Sequence, residues 1–170
     1  MKPESQKSKK TEQRSAARLA AAQALYQMEV AEKGLNEILA EFEAHWLGQE
    51  IDGQVFRPAE VVFFRDIVSG VLRDQIPIDL GVDAALEKSW PLRRVEALLR
   101  AILRAAFYEL RSRPDVPARV AVTEYVDVTG AFFGPEEVGM VNAVLDSLAR
   151  DSRPGEFALE RPGSASSAEE

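Results

Sequence analysis

Three cations, Lys10, Arg14 and Arg18, stand four residues apart near the start of the chain. On a helix each such step rotates the side chain by about 40°, so the three span about 80° of surface. Long cations on one stripe can follow a phosphate backbone. Lys9 adds a fourth charge. Tyr26 lies two turns beyond Arg18, where an aromatic ring either stacks on an unpaired base or packs into a core. A second basic group, Arg100, Arg104, Tyr108 and Arg111, falls on another periodic segment. The role expected for Arg104 is an ion pair between helices, and for Tyr108 and Leu103 a place in the core. Neither Tyr108 nor Leu103 is expected to be catalytic.

Other chemistry finds few residues to work with. The chain has one histidine, His45, and no cysteine. Thiolate metal sites and disulfides are therefore excluded, and no carboxylates stand at helical ligand spacing around His45. It reads as a surface or interface histidine. There is no G-x-S-x-G elbow, no G-x-G-x-x-G and no G-x-x-x-x-G-K-[ST], so neither a serine triad nor a nucleotide cradle is indicated. No enzyme, cofactor or metal is expected.

The formal charge of the 170 residues is −7, which by itself argues against a nucleic-acid partner. Its distribution argues otherwise. Residues 1–18 carry six bases and two acids, a net +4, which leaves −11 on the remainder. A basic head thus precedes an acidic body. The alternative is that the head is simply a solvated tail. The first residues lack the apolar centre of a signal peptide, and no apolar run is long enough to span a bilayer, so a cytoplasmic protein with no membrane partner is expected.

The elements that must position these groups read as helices. Residues 1–10 are polar and aperiodic and are expected to form a disordered basic arm. A first helix is predicted from Thr11 to about Lys33, rich in alanine, with Gly34 as its stop. Further helices are predicted over Asn36–Leu47, from Ala59 to about Gln75, and over Ile78–Lys88, with a loop from Gly48 to Pro58. Pro91 suits the first turn of a fifth, in which Val95, Leu98, Leu99, Ile102, Leu103, Ala106 and Leu110 repeat at three and four. Pro117 opens a sixth carrying Ala121, Tyr125, Val128 and Phe132. The stretch VAVTEYVDV within it has strand propensity, but its spacing favours a helix. A seventh covers about Glu136–Arg150. Residues 151–170, with two Arg-Pro pairs and many small polar residues, are expected to be a disordered tail. The helical domain is thus bounded at 11–150, and the fold class expected is all-α.

The ordered motifs resemble those of the NusB family. Leu103-Arg104-Ala105-Ala106-Phe107-Tyr108-Glu109-Leu110 matches its L-R-x-A-x-Y-E-L helix. Val116-Pro117-Ala118-Arg119-Val120 with Glu124, Met140-Val141-Asn142-Ala143-Val144-Leu145-Asp146, Ala21-Ala22-Gln23-Ala24-Leu25-Tyr26 and Phe64-Arg65-Asp66 with Gly70 match further signatures. The match covers most of residues 12–150 in order. Gly130 of Thr129-Gly130-Ala131-Phe132 stands where the family has lysine, Met140 where it has phenylalanine and Ala143 where it has glycine.

The resemblance implies about seven helices in two small bundles sharing one core. It implies an RNA-binding adaptor of transcription antitermination, which binds the boxA element of nascent ribosomal RNA together with the ribosomal small-subunit protein NusE. The complex helps RNA polymerase read through terminators. The RNA-contacting residues are then Lys9, Lys10, Arg14, Arg18, Tyr26, Phe132 and Asn142. Two other functions stay open. One is a module related to ribosomal RNA methyltransferases, to which NusB-like domains occur fused, although no glycine-rich cofactor loop is present. The other is a helical protein-binding scaffold. A homodimer also stays open.

Overall fold

The computed structural model describes residues 3–46, 50, 51, 54, 55, 58–87 and 90–160, with side chains for 8–44, 61–87 and 90–158. Among the described residues there are seven α-helices: α1 (Pro3–Ala31), α2 (Leu35–Trp46), α3 (Pro58–Arg73), α4 (Gln75–Ala85), α5 (Ala97–Ser112), α6 (Ala118–Phe132) and α7 (Pro135–Ser152). The link between α2 and α3 carries a two-residue antiparallel pair, Glu50–Ile51 with Gln54–Val55. VAVTEYVDV lies within α6, as its spacing predicts.

Helix α5 is the axis of the fold. It packs on α1 and α3 on one side and on α4, α6 and α7 on the other, while α2 packs on α1 and α3. Two helical groups therefore share one apolar cluster that runs from Ala17 to Phe157. The sequence pattern explains the position of α5: ten of its sixteen residues, from Leu99 to Leu110, are buried. Its neighbours come close through small residues. Ala17, Ala20, Ala21, Ala22 and Ala24 line the buried side of α1. A Cβ on Gly70 of α3 would overlap the Tyr108 ring, and one on Gly81 of α4 would overlap the Phe107 ring. One turn before Gly70, Asp66 accepts a hydrogen bond from the Tyr108 hydroxyl at 2.8 Å and an ion pair from Arg113 at 3.2 Å. The Phe-Arg-Asp and glycine motif is thus the seat of the α3–α5 crossing.

Four expectations are corrected. Helix α1 begins at Pro3, so residues 3–10 are helical and not a disordered arm. Proline suits a first helical turn, and extending a formed helix through Glu, Gln and Lys is cheap even without packing. Helix α1 ends at Ala31 with Glu32 in the left-handed region at φ 53°, two residues before the expected glycine stop. Pro91 precedes a one-turn 3-10 helix, Leu92–Arg94, and α5 starts only at Ala97, so Val95 is buried outside it.

The fourth correction concerns the C-terminal segment. Helix α7 runs to Ser152, and Pro154–Glu160 forms a 3-10 turn whose Phe157 is buried between the guanidinium groups of Arg119 and Arg150, at 5.2 and 4.8 Å from the ring centre. Arg153 donates to the carbonyls of Glu109, Leu110, Arg113 and Val116. It thereby ties the last turn of α5 to the loop that follows it, adding a charged donor to the Glu109 and Arg113 carbonyls, which already accept backbone N–H groups. Glu156 accepts from the Ala118 N–H at 2.9 Å, capping α6, whose own flanking residue is Pro117. That bond, with Arg153 alongside, holds the Glu156 carboxyl below its ordinary range. Apolar content too low to predict order is here replaced by hydrogen bonding. Residues 161–170 lie outside the described residues, as do the side chains of His45 and Leu159.

Candidate nucleic-acid interface

The basic stripe of α1 does not stay on the surface. Lys9 and Lys10 are exposed. Arg14 is partly covered: its guanidinium lies 4.7 Å from the centre of the Phe63 ring and 3.6 Å from the Asp115 carboxylate. Arg18 is 2% exposed. It makes a two-pronged pair with Glu109 of α5, Nε to Oε2 at 2.9 Å and Nη2 to Oε1 at 3.0 Å, and lies 3.8 Å from Glu124 of α6. The expectation that Arg18 contacts RNA is therefore corrected. The drift of about 40° per step carries successive cations from solvent, across the helix flank, into the interface with α5.

Charge makes this burial tolerable. Burial pulls the Arg18 guanidinium towards neutrality, but hydrogen bonding and attraction from Glu109 outweigh it and hold its pKa above the ordinary arginine value. Tyr125, fully buried beside the same carboxylate, has its hydroxyl pKa pushed well up by burial and by Glu109. Ser15 Oγ donates to Glu124 at 2.7 Å. The first half of α1 is thus fixed to α5 and α6 by a polar cluster, which sets the direction in which Lys9, Lys10 and Arg14 face.

Tyr26 emerges elsewhere. Sixteen residues past Lys10, it is rotated by about 160° from that stripe and displaced by about 24 Å along the axis. It is 36% exposed and does not continue the stripe. Instead it joins Phe132, from the far end of α6 and 42% exposed, at a groove of about 420 Å³. Gln23 and Gln27 of α1, Glu41 and Phe42 of α2, and Leu98 of α5 complete the lining. Phe42 stacks on Phe64 behind it, ring centres 5.4 Å apart. Glu41 is held by Lys33, whose Nζ donates to its two oxygens at 2.7 and 2.9 Å. That bond raises the Lys33 pKa.

Of the residues singled out from sequence, Tyr26 and Phe132 are thus brought together, 106 positions apart in the chain. Asn142 is exposed on α7 and is not among the residues lining the groove. The second basic group is structural. Arg104 pairs with Asp79 of α4 at 2.7 Å and with Glu29 of α1 at 3.3 Å, and Arg100 pairs with Glu29. Arg111 lies over Phe107, and Tyr108 and Leu103 are core. Glu41, Phe42 and Leu98 were not foreseen as site residues; the first two come from α2 and the third from α5, and no local spacing links them to Tyr26.

No described helix is long and apolar enough to cross a membrane, and among the described residues no cluster of three or more acidic or histidine side chains could hold a metal ion. Fold and site define a class: an all-helical protein with a basic N-terminal helix and a separate groove lined by aromatic and amide side chains. The NusB family model matches residues 15–150. The chain is 61% identical over 150 residues to the "Transcription antitermination protein NusB" of Nitrobacter hamburgensis, covering 88% of this chain and 94% of that one. It is 60% identical over 156 residues to the protein so named from Bradyrhizobium diazoefficiens, covering 92% and 94%. The solved structure of T. maritima NusB superposes with a TM-score of 0.71 at 27% identity, over 85% of this chain and 96% of that one. NusB from Aquifex aeolicus, at 20% identity and a TM-score of 0.61, shares the fold over 92% and 99%. This protein belongs to the NusB family.

Proposed function

We propose that this protein is a cytoplasmic RNA-binding adaptor of transcription antitermination, which binds boxA RNA together with NusE and so keeps RNA polymerase reading through terminators. The observation that carries the reading is the convergence of Tyr26 and Phe132 on one groove. Two half-exposed aromatic rings from separate helices offer stacking surface to unpaired bases. The names of the relatives supply antitermination. Phosphate contacts fall to Lys9, Lys10 and Arg14, with Asn142 as a further contact on α7, and Arg18 holds α1 in place behind them.

The charge balance supports the need for a partner. Two exposed lysines and a half-covered arginine give a modest, salt-sensitive affinity, and a body of net −11 opposes RNA beyond about one Debye length. A second protein holding the RNA at a second place raises apparent affinity without altering either contact. The test is a titration of labelled boxA RNA with this protein, with NusE and with the mixture, across salt concentrations. The mixture is expected to bind far more tightly than either protein alone. In it, Lys9, Lys10 and Arg14 changed to alanine should each flatten the salt dependence by up to about one unit of slope. Equal affinity for the lone protein and the mixture at near-physiological salt would refute the adaptor reading.

A further inference from the structure

We propose that the groove between α1, α2 and α6 admits one unstacked base carrying an exocyclic amino group, and that Glu41 is the residue that selects it. This rests on the RNA-binding reading above and names the class of base that the groove takes.

The described lining does not favour a phosphate. Among the described residues no lysine or arginine lines the groove, the charged lining group is the acid Glu41, and the nearby Lys33 ammonium is already paired with it. What fits there is planar, apolar on its faces and rich in hydrogen-bond donors at its edge. Tyr26 and Phe132 supply ring surface, Phe42 and Leu98 supply apolar wall, and Gln23 and Gln27 stand one turn apart on α1 with both donors and acceptors. A base turned out of its stack has this shape and this division between faces and edge.

Glu41 decides among the bases. An ionised carboxylate only accepts hydrogen bonds, at about four lone-pair positions. Lys33 takes up two of these and leaves the others for a ligand. An amino group of cytosine, adenine or guanine can donate to them. The same place on uracil presents a carbonyl oxygen, which repels the carboxylate. The Lys33 pair has two further consequences. It fixes the carboxylate before RNA arrives, so little side-chain entropy is lost on binding, and it offsets a negative charge that would otherwise repel the RNA backbone. An acid at an RNA-binding surface weakens affinity unless it reads a donor. Pinned by a lysine at the mouth of an aromatic groove, Glu41 is placed to read one.

The experiment uses the full chain with NusE and a set of short labelled boxA RNAs. In each, one amino-bearing base is replaced by its shape-matched counterpart lacking the amine: purine for adenine, inosine for guanine, 2-pyrimidinone for cytosine. Binding to the unaltered protein is expected to weaken by roughly 5- to 150-fold at one position and by little elsewhere. In Glu41→Ala, whose side chain is 36% exposed in the parent, that position should lose its preference while the parent RNA still binds. If no single amine matters to the unaltered protein, the groove does not select a base, and the RNA-binding reading stands without this inference. If one amine matters equally in both proteins, another residue reads it and Glu41 is misassigned. If Glu41→Ala weakens binding of NusE and leaves RNA binding by this chain alone unchanged, the groove holds a protein side chain. If no RNA binds with or without NusE, the functional reading falls and this inference falls with it.

Discussion

Removing the Arg18 side chain separates a structural role from an RNA contact. In Arg18→Ala the Glu109 carboxylate, 0% exposed, loses bonds of 2.9, 3.0 and 3.2 Å to the guanidinium. Breaking a buried pair from one side costs about 3–5 kcal/mol, because the surviving charge stays desolvated. That is a large part of the 5–15 kcal/mol by which a domain of this kind is stable. With a urea slope of about 2 kcal/mol per molar, the midpoint should fall by about 2 M. Replacing both partners by apolar side chains of similar volume, Arg18→Met with Glu109→Leu, should recover much of the loss, since no charge is then stranded. Urea unfolding followed by circular dichroism on the parent, both single variants and the double variant gives the coupling directly. RNA binding, measured where each variant is folded, should keep its salt slope. A loss below about 1 kcal/mol together with a flattened salt slope would refute this account and return Arg18 to the RNA.

Three further outcomes follow from the geometry. Arg153→Ala should lower stability by about 3 kcal/mol, because four carbonyls lose a charged donor; thermal melts check this, and truncation after Ser152 should cost at least as much. Glu32→Gly should raise stability by about 1 kcal/mol, since glycine adopts the φ of 53° at that helix end without strain; an unchanged or lower melting midpoint would count against it. Raising the pH should destabilise the fold through Tyr125: its folded pKa lies above the unfolded value, so its contribution is full below about 10 and is lost as the pH climbs towards the folded value. Urea midpoints against pH should fall less steeply in Tyr125→Phe.

What the sequence determined is the helical content and the identity of the central helix. Three–four periodicity of apolar residues is a local property, so Leu98 to Leu110 declared α5, Pro117 marked the start of α6, and the seventh helix, expected from about Glu136, begins at Pro135. The residues at the α3–α5 crossing, Asp66, Gly70 and Tyr108, were visible only as parts of the family's motifs; the close approach and the hydroxyl bond that need those residue types came from the structure. The two ends of the described chain were misjudged for one reason. Polar composition was read as disorder, but residues 3–10 need only extend a helix already held by its alanine face, and 153–157 are held by caps to the ends of α5 and α6.

What only the tertiary structure decided is which charged and aromatic residues meet solvent. Lys10, Arg14 and Arg18 are equivalent in type and evenly spaced, so nothing local distinguishes them. Their fates diverge because α5 and α6 cover one flank of α1, and because Glu109 of α5 lies where Arg18 points. The groove has the same origin. Tyr26, Glu41, Leu98 and Phe132 belong to four helices, and their meeting depends on the way α1, α2 and α6 pack around the start of α5. Helix formation depends on neighbours within a turn, whereas a site such as this depends on packing between segments distant in the chain, which one sequence alone does not encode in any local spacing.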